Sequence, residues 1–541
     1  MRDEAVRAFS AALAAPRATQ DELLRSILEA NRLTAYGRHH DFASITDVAT
    51  YRSRVPFVRF PELSPWVDRM LAGEPDVLLA GQPIFFGRTS GTTGRPKHVG
   101  YPSAVSREYV AAYAPMASAL EAAESGASRE VLFVTGTFAE ARTAHGIPIG
   151  SASGFVRNLD VFRDESYFHI APEEVFELTD TDARYYLLLR LALERPLRTI
   201  GALNPSSVIL LFKKAREYGA ALADDLARGS IEAGPEGARA LAARLGLQLS
   251  PRPDVAERMT RALADGRFQP EVAWPTLRVL QTWKGGASRH YFSALTASCP
   301  NARVWPALSG STEGLLLVPL REAWTGGVPA LCSTVIEAMP AEVEPCAEAI
   351  LPFEALEEGR GYRFAITNRR GLYRYVMDDV FVVAERHAGV PVLHFSHRLG
   401  AGSSLTGEKL TEADVIAGAN AALELVQAVD FQVAPEWDDP PRYVLLVELS
   451  AVASDAALEE ALRRFEVAMA ASNVEYAAKR SSGRLAAPTL LVLRAGSFDR
   501  LRRELSTGKG KSDAQVKIAR LGGELVDRDK LDLLHAVAWP V

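Results

Sequence analysis

Cysteine is nearly missing: Cys299, Cys332 and Cys346 are the only three in 541 residues. No two stand in CxxC spacing and their number is odd. This excludes a disulfide framework and a zinc ribbon, and fits a reduced, cytoplasmic setting. A basic surplus is missing too. With 61 Lys and Arg against 67 Asp and Glu the net charge is −6, and no Lys/Arg block exceeds a few residues. The chain therefore has no long-range attraction for nucleic acid or an anionic membrane surface. Nothing approaches the roughly 18 consecutive apolar residues of a membrane helix. Asp3 and Glu4 stand where a secretory leader would be basic. Internal repeats are likewise absent. Apolar material is plentiful, at 48% of residues against 24% charged. Dividing the length by about 150 residues per domain predicts roughly three to four structural units.

Capping-box spacing at Thr19 and Glu22, followed by Leu23, Leu24, Ile27 and Leu28 on one face, predicts a docking helix opening at Thr19. Further on, the apolar runs EVLFVTG, SSVILLF, LRVLQTW and VPVLHF read as buried strands. They alternate with helical patterns such as 254–263, which predicts α/β architecture. The stretch HRLGAGSSLTGEKLTEADV, starting at His397, is rich in Gly and Ser and predicts a connector before a helix capped at Thr411. A domain boundary is expected near residue 400. Beyond it, RYVLLVEL, a helix over about 455–470 and TLLVLRAG predict a compact strand, helix, strand set.

Chemistry concentrates in FFGRTSGTTGRPKHVGY, residues 85–101. Glycines let successive backbone N–H groups turn inward to form an anion-binding concavity. Thr89, Ser90, Thr92 and Thr93 add hydroxyl donors, and Lys97 adds a point charge. Phosphate is the natural guest. The P-loop NTPase pattern G-x-x-x-x-G-K-[ST] fails on register, because Pro96 separates Arg95 from Lys97. GKGKS at 508–512 fails as well, because Leu505 occupies the first glycine position.

The pattern [ST]-[SG]-G-[ST]-[TS]-G-x-P-K is matched at every position of residues 89–97. It resembles the phosphate loop of the acyl-adenylate-forming superfamily. WPTLRVLQTWKGGAS (274–288), SGSTEG (309–314), YRYVMDDV (373–380) and KGKSDAQVKIAR (509–520) follow in the order of the acyl-acid amido synthetases. That auxin-responsive family of plants, with bacterial relatives, resembles this chain over nearly its whole length. The resemblance implies a large N-terminal ATP- and acyl-binding lobe (1–400) with mixed sheets and helices. A smaller, mobile α+β C-terminal lobe (401–541) would be joined to it by a hinge. It implies phosphate contacts from Thr89, Ser90, Gly91, Thr92, Thr93, Gly94 and Lys97. Ser311, Thr312 and Glu313 would lie beside ATP, with Glu313 on Mg2+. Asp379 would accept the two ribose hydroxyls, Arg398 would make a second ribose or phosphate contact, and Lys517 would join Lys97 as a catalytic lysine. Ser309 stands where the resemblance implies an aromatic ring against adenine, and Trp305 is the substitute on offer. Asp378 replaces the usual glycine, and its charge is unfavourable near phosphates unless it points outward. His39, His40, His394 and His397 have no accompanying ligand cluster and read as structural rather than metal-binding.

A carboxylate resists amines because it is anionic and its leaving group would be oxide. Attack on the α-phosphorus of ATP yields an acyl-adenylate and pyrophosphate, and in-line displacement asks chiefly for positioning and charge neutralisation. An amine then attacks the acyl carbonyl and AMP leaves. The expected substrates are a small carboxylic acid, ATP with Mg2+, and an amino acid or other amine acceptor; oligomeric state leaves no mark on the sequence. Two other readings fit the same loop. One is an acyl-CoA ligase sharing the adenylation step; the other is a nucleotide-binding scaffold that has lost catalysis, given Ser309, Asp378 and Ala519.

Overall fold

In the computed structural model the helix expected to open at Thr19 starts at Pro16 and runs to Asn31, after a helix Arg2–Ala14. Proline's fixed φ and missing N–H suit the first helical position, so the helix begins a turn earlier than the capping signature indicates. Thr19 Oγ1 instead donates back to the Ala15 carbonyl at 3.0 Å. Leu23, Leu24, Ile27 and Leu28 form its buried face. The structure describes residues 2–89, 97–159, 170–263, 266–285, 292–399, 402–423, 425–426, 428–449, 451–498, 500–501, 520–522, 528 and 531–539. They divide into two compact units, one ending at Arg398 and the other starting at Leu399.

The strands of the first unit are, in chain order, β1 (Phe85–Thr89), β2 (Lys97–Tyr101), β3 (Val131–Val134), β4 (Ala141–Arg142), β5 (Pro148–Gly150), β6 (Thr199–Ala202), β7 (Val279–Thr282), β8 (Arg303–Pro306), β9 (Ser309–Gly310), β10 (Leu315–Val318), β11 (Val328–Pro329), β12 (Val335–Pro340), β13 (Gly361–Asn368), β14 (Leu372–His387) and β15 (Val390–Arg398). Strands β3, β6, β7 and β8 form an all-parallel sheet in that order. They are almost wholly buried, which is why they read as short apolar runs without alternation. A second sheet, β12-β13-β14-β15, is antiparallel throughout. The sheet β2-β1-β5-β4 is mixed, with β1 antiparallel to β2 and parallel to β5, and β11-β10-β9 completes the unit.

SSVILLF is not a strand. It lies in helix Pro205–Glu217, with Val208, Leu211 and Ala215 buried. The strand of this unit is β6, a few residues upstream. A short apolar run lacks the length to show a period, and Pro205 opens the helix that carries it. The pattern at 254–263 does form a helix, Pro253–Ala262.

In the second unit β16 (Gly402–Ser403) pairs with β17 (Leu410–Thr411), so the Gly/Ser stretch is a hairpin rather than a plain connector. Glu408, fully buried between these strands, accepts hydrogen bonds from the Leu405 and Thr406 amides, Thr406 Oγ1 and the Tyr443 hydroxyl. Helix Glu412–Leu423 follows, and Thr411 and Asp414 exchange the reciprocal bonds of a capping box, at 2.9 and 3.2 Å. Then come β18 (Ala428–Glu436), β19 (Arg442–Leu449), β20 (Thr489–Leu493) and β21 (Leu533–Val537), adjacent in that order. β19 and β20 are parallel, as the intervening helices Asp455–Ser472 and Val474–Ser481 require. The fold class is therefore α/β, with a large N-terminal unit of mixed sheets and helices and a smaller α+β C-terminal unit. Among the described residues no helix is long and apolar enough to cross a membrane.

Candidate nucleotide site

Strands β1 and β2 pair with Thr89 opposite Lys97, so the two ends of the glycine-rich segment are held at one register position. Ser90, Gly91, Thr92, Thr93 and Gly94 themselves lie outside the described residues. Lys97 Nζ stands 5.6 Å from the centre of the Phe60 ring, a cation–π distance.

SGSTEG is β9 and the turn of residues 311–314 that leads into β10. It is not a helix start. The Ser311 amide donates to the Gly314 carbonyl at 2.9 Å, and the Glu313 amide donates to Ser311 Oγ at 3.2 Å. Asn368 Nδ2 donates to the Glu313 carbonyl at 2.7 Å. Glu313 is only 8% exposed, so its carboxylate has little freedom to reorient. This turn touches the phosphate-loop strand: a Cβ placed on Gly87 would lie 2.4 Å from Thr312 Cγ2 and 3.0 Å from the Tyr101 ring. Glycine is required at 87 by this close approach.

Two side chains pin the Thr312 carbonyl. The Tyr101 hydroxyl, on the last residue of β2, and Arg370 Nη1 each donate to it at 2.8 Å. Arg370 Nη1 also donates to the Tyr101 oxygen at 3.2 Å. The guanidinium lies 4.5 and 5.2 Å from the Tyr101 and Tyr109 ring centres, and its Nε is 3.4 Å from Glu108 Oε2. Both partners of this ion pair are buried. Burial pushes the Glu108 carboxyl up, opposed first by Arg370. Burial also holds the Tyr101 hydroxyl well above the ordinary phenol range, with Arg370 pulling the other way, so Tyr101 is a neutral donor. Sequence reasoning missed Arg370, Glu108 and Asn368. Each acts through partners far away in the chain, Arg370 on Tyr101 and Thr312, Glu108 on Arg369 and Asn368 on Glu313, so no local pattern marks them.

Asp379 lies on β14 with Arg398 of β15 as its backbone partner, so the chain brings the two expected ribose contacts to one rung. Asp378 faces the other side of the strand and pairs with Arg59, so its charge is met locally. Trp305 is 2% exposed and sits in a core cluster with Leu120, Ala127 and Val279. Its ring is therefore unavailable to stack on a base, which corrects the expectation; Ser309 begins β9. His40 and His39 pack on Tyr36 and Trp66, with ring centres 4.4 and 5.7 Å apart. Lys517 lies outside the described residues. Arg520, last in the tail motif, pairs with Asp430, donates to the Phe431 carbonyl at 2.8 Å and sits over the Phe431 ring. Its backbone carbonyl accepts from the Val433 amide on β18, so Arg520 anchors the chain there.

Among the described residues no group of three or more His, Cys, Asp or Glu could hold a metal ion by itself. Mg2+ carried by a nucleotide needs only one or two protein carboxylates beside the phosphates. Glu313, a buried carboxylate in the turn that carries Ser311 and Thr312, fits that role by donor chemistry.

Three family models match along the chain in order. The GH3 family N-terminal domain covers residues 5–304, the GH3 family central domain 333–398 and the GH3 family C-terminal domain 413–524. The chain belongs to the GH3 family. Curated relatives include the probable indole-3-acetic acid-amido synthetase GH3.12 of Oryza sativa subsp. japonica, 25% identical over 93% of this chain and 90% of its own. The jasmonoyl-L-amino acid synthetase GH3.5 of the same organism is 24% identical over 88% of each. The indole-3-acetic acid-amido synthetase GH3.4 of Arabidopsis thaliana is 24% identical over 93% of this chain and 89% of its own. Among solved structures, AtGH3.15 acyl acid amido synthetase in complex with 2,4-DB aligns with a TM-score of 0.68 at 19% identity, over 100% of this chain and 99% of that one. The two share a fold.

Proposed function

We propose that this protein is an ATP-dependent ligase that adenylates a small carboxylic acid and transfers the acyl group to an amino acid or other amine, releasing pyrophosphate and then AMP. The observation that carries this reading is the junction of two motifs. The strand pair flanking the phosphate-loop sequence is bonded, through Tyr101, to the turn bearing Glu313, in a chain that matches the three family models in order over 5–304, 333–398 and 413–524. The relatives' names, built on indole-3-acetic acid and jasmonoyl conjugates, support the acid and amino acid classes.

In this reading Thr89, Ser90, Gly91, Thr92, Thr93, Gly94 and Lys97 bind the triphosphate, with Ser311 and Thr312 beside it. Glu313 holds the Mg2+ that enters with ATP and neutralises phosphate charge. Asp379 and Arg398 take the ribose. Lys517, on a C-terminal domain of residues 401–541 that moves relative to 1–400, serves the adenylation step. Three free cysteines support a cytoplasmic enzyme.

The test is ATP–pyrophosphate exchange against pooled carboxylic acids, followed by product mass with amino acids or coenzyme A. At least one acid is expected to drive exchange and give an amide. Lys97→Ala is expected to lower exchange by about 10²–10³, the usual effect of losing one preorganised donor. Thioester as the only product, or full activity in Lys97→Ala, contradicts the proposal.

A further inference from the structure

We infer that Arg370 is a positioning residue for the nucleotide end of this site, acting through the carbonyl of Thr312 rather than by touching substrate. The inference rests on the ligase reading above for the identity of the nucleotide.

The argument starts from burial. Arg370 is fully buried, and a buried guanidinium is costly unless its charge and its donors are met. Here they are met only in part. Among the described residues Nε and Nη2 find no hydrogen-bond acceptor, and the nearest carboxylate, Glu108, is in turn bonded to the Arg369 amide at 2.9 Å. Stability alone would favour an apolar pair of the same volume at these two positions. What the guanidinium does supply is a two-pronged link. One nitrogen, Nη1, bridges the Tyr101 hydroxyl and the Thr312 carbonyl, while the planar group stacks on Tyr101 and Tyr109. Tyr101 closes β2, the strand that begins at Lys97. Thr312 precedes Glu313. The phosphate-loop strand and the carboxylate turn are therefore held in one register by Arg370, with Asn368 fixing the next carbonyl of the same turn. A hydrogen bond from a charged donor in such a site is both stronger and more directional than a neutral one, and small misplacement of catalytic groups is expensive in rate.

The experiment compares Arg370→Lys, the neutral pair Arg370→Gln with Glu108→Gln, and Tyr101→Phe. Binding of Mg2+ with α,β-methylene-ATP by calorimetry needs no turnover. Exchange kinetics separate KM for ATP, KM for the acid and the Mg2+ concentration giving half-maximal rate. Loss of one charge-assisted bond predicts nucleotide binding weaker by about tenfold or more in both Arg370 variants. KM for ATP and the Mg2+ requirement should rise in parallel, while KM for the acid stays within about twofold, since the lesion is at the nucleotide end. Tyr101→Phe removes one neutral bond and is expected to show the same pattern more weakly, by about threefold to tenfold. The neutral pair guards against misfolding, because it leaves no unpaired buried charge. The role is overturned if folded variants bind the nucleotide as wild type does, or if KM for the acid rises as much as KM for ATP. A wild-type protein that binds the nucleotide yet exchanges no pyrophosphate refutes the ligase reading. The binding ratios then decide the positioning role by themselves.

Discussion

Gly87→Ala probes the junction between the two motifs that Arg370 also holds. The added Cβ would stand 2.4 Å from Thr312 Cγ2 and 3.0 Å from Tyr101 Cε1. Carbon atoms rest at about 3.5–4.0 Å, so relief asks for a shift of about 1 Å. Neither the Thr312 backbone nor the Tyr101 ring is free to give way. The Thr312 carbonyl is held from two sides at 2.8 Å, and the Tyr101 ring packs against Phe85 and Phe155, with centres 5.4 and 5.0 Å away. Over-packing of this kind costs about 1–3 kcal/mol. If the strain is relieved by displacing the turn, nucleotide affinity falls by about 5- to 150-fold, and if it is held in place the same energy appears as lost stability. Urea unfolding and calorimetric binding of a non-hydrolysable ATP analogue, measured on the same preparation, account for both destinations. Thr312→Ser removes the offending methyl and keeps the hydroxyl, so the double variant should recover most of the loss while Thr312→Ser alone changes little. A double-mutant cycle with no recovery, or a Gly87→Ala protein equal to wild type in both assays, refutes the reasoning.

Lys517→Ala is expected to abolish acyl-adenylate formation while leaving amide formation from a supplied acyl-adenylate largely intact; single-turnover assays of each half-reaction check this, and equal loss in both removes the role. Lys479 in the second unit has 13% of its side chain exposed, 3.7 Å from Glu475. Burial first, then Arg484, bring its ammonium down to about 8 from 10.5, against the pull of Glu475. Between pH 8 and 10.5 the unfolded chain therefore binds the proton that the folded unit has lost, so stability from this group rises with pH across that window. At pH 7 the buried charge costs about 3 kcal/mol at most. Lys479→Met should accordingly be more stable than wild type in urea at pH 7, with the gap closing toward pH 10.5, and a gap independent of pH would sink the assignment.

What could be read in advance follows how local the signal is. Thr411 and Asp414 close a capping box as their spacing indicates, whereas Thr19 and Glu22 carry the same spacing and do not, because Pro16 starts the helix first. LRVLQTW contributes β7 and EVLFVTG contributes β3, yet SSVILLF, equally apolar, is helical. Burial on all sides erases the period that would separate the two. Asp378 looked like an awkward charge until the fold brought Arg59, 319 positions away, against it. Trp305 looked available for a base until β8 proved to be interior.

The sequence by itself determined the class of chemistry and the family, since both rest on short contiguous motifs, the eight constrained positions within 89–97 and the segments 274–288, 309–314, 373–380 and 509–520. The tertiary structure alone decided what holds that chemistry in register. Tyr101, Thr312 and Arg370 lie 211 and 269 positions apart, and no local pattern links them. Their bonds exist only because the β1-β2 pair, the β9-β10 turn and the β13-β14 turn come together in a space too small for a side chain on Gly87.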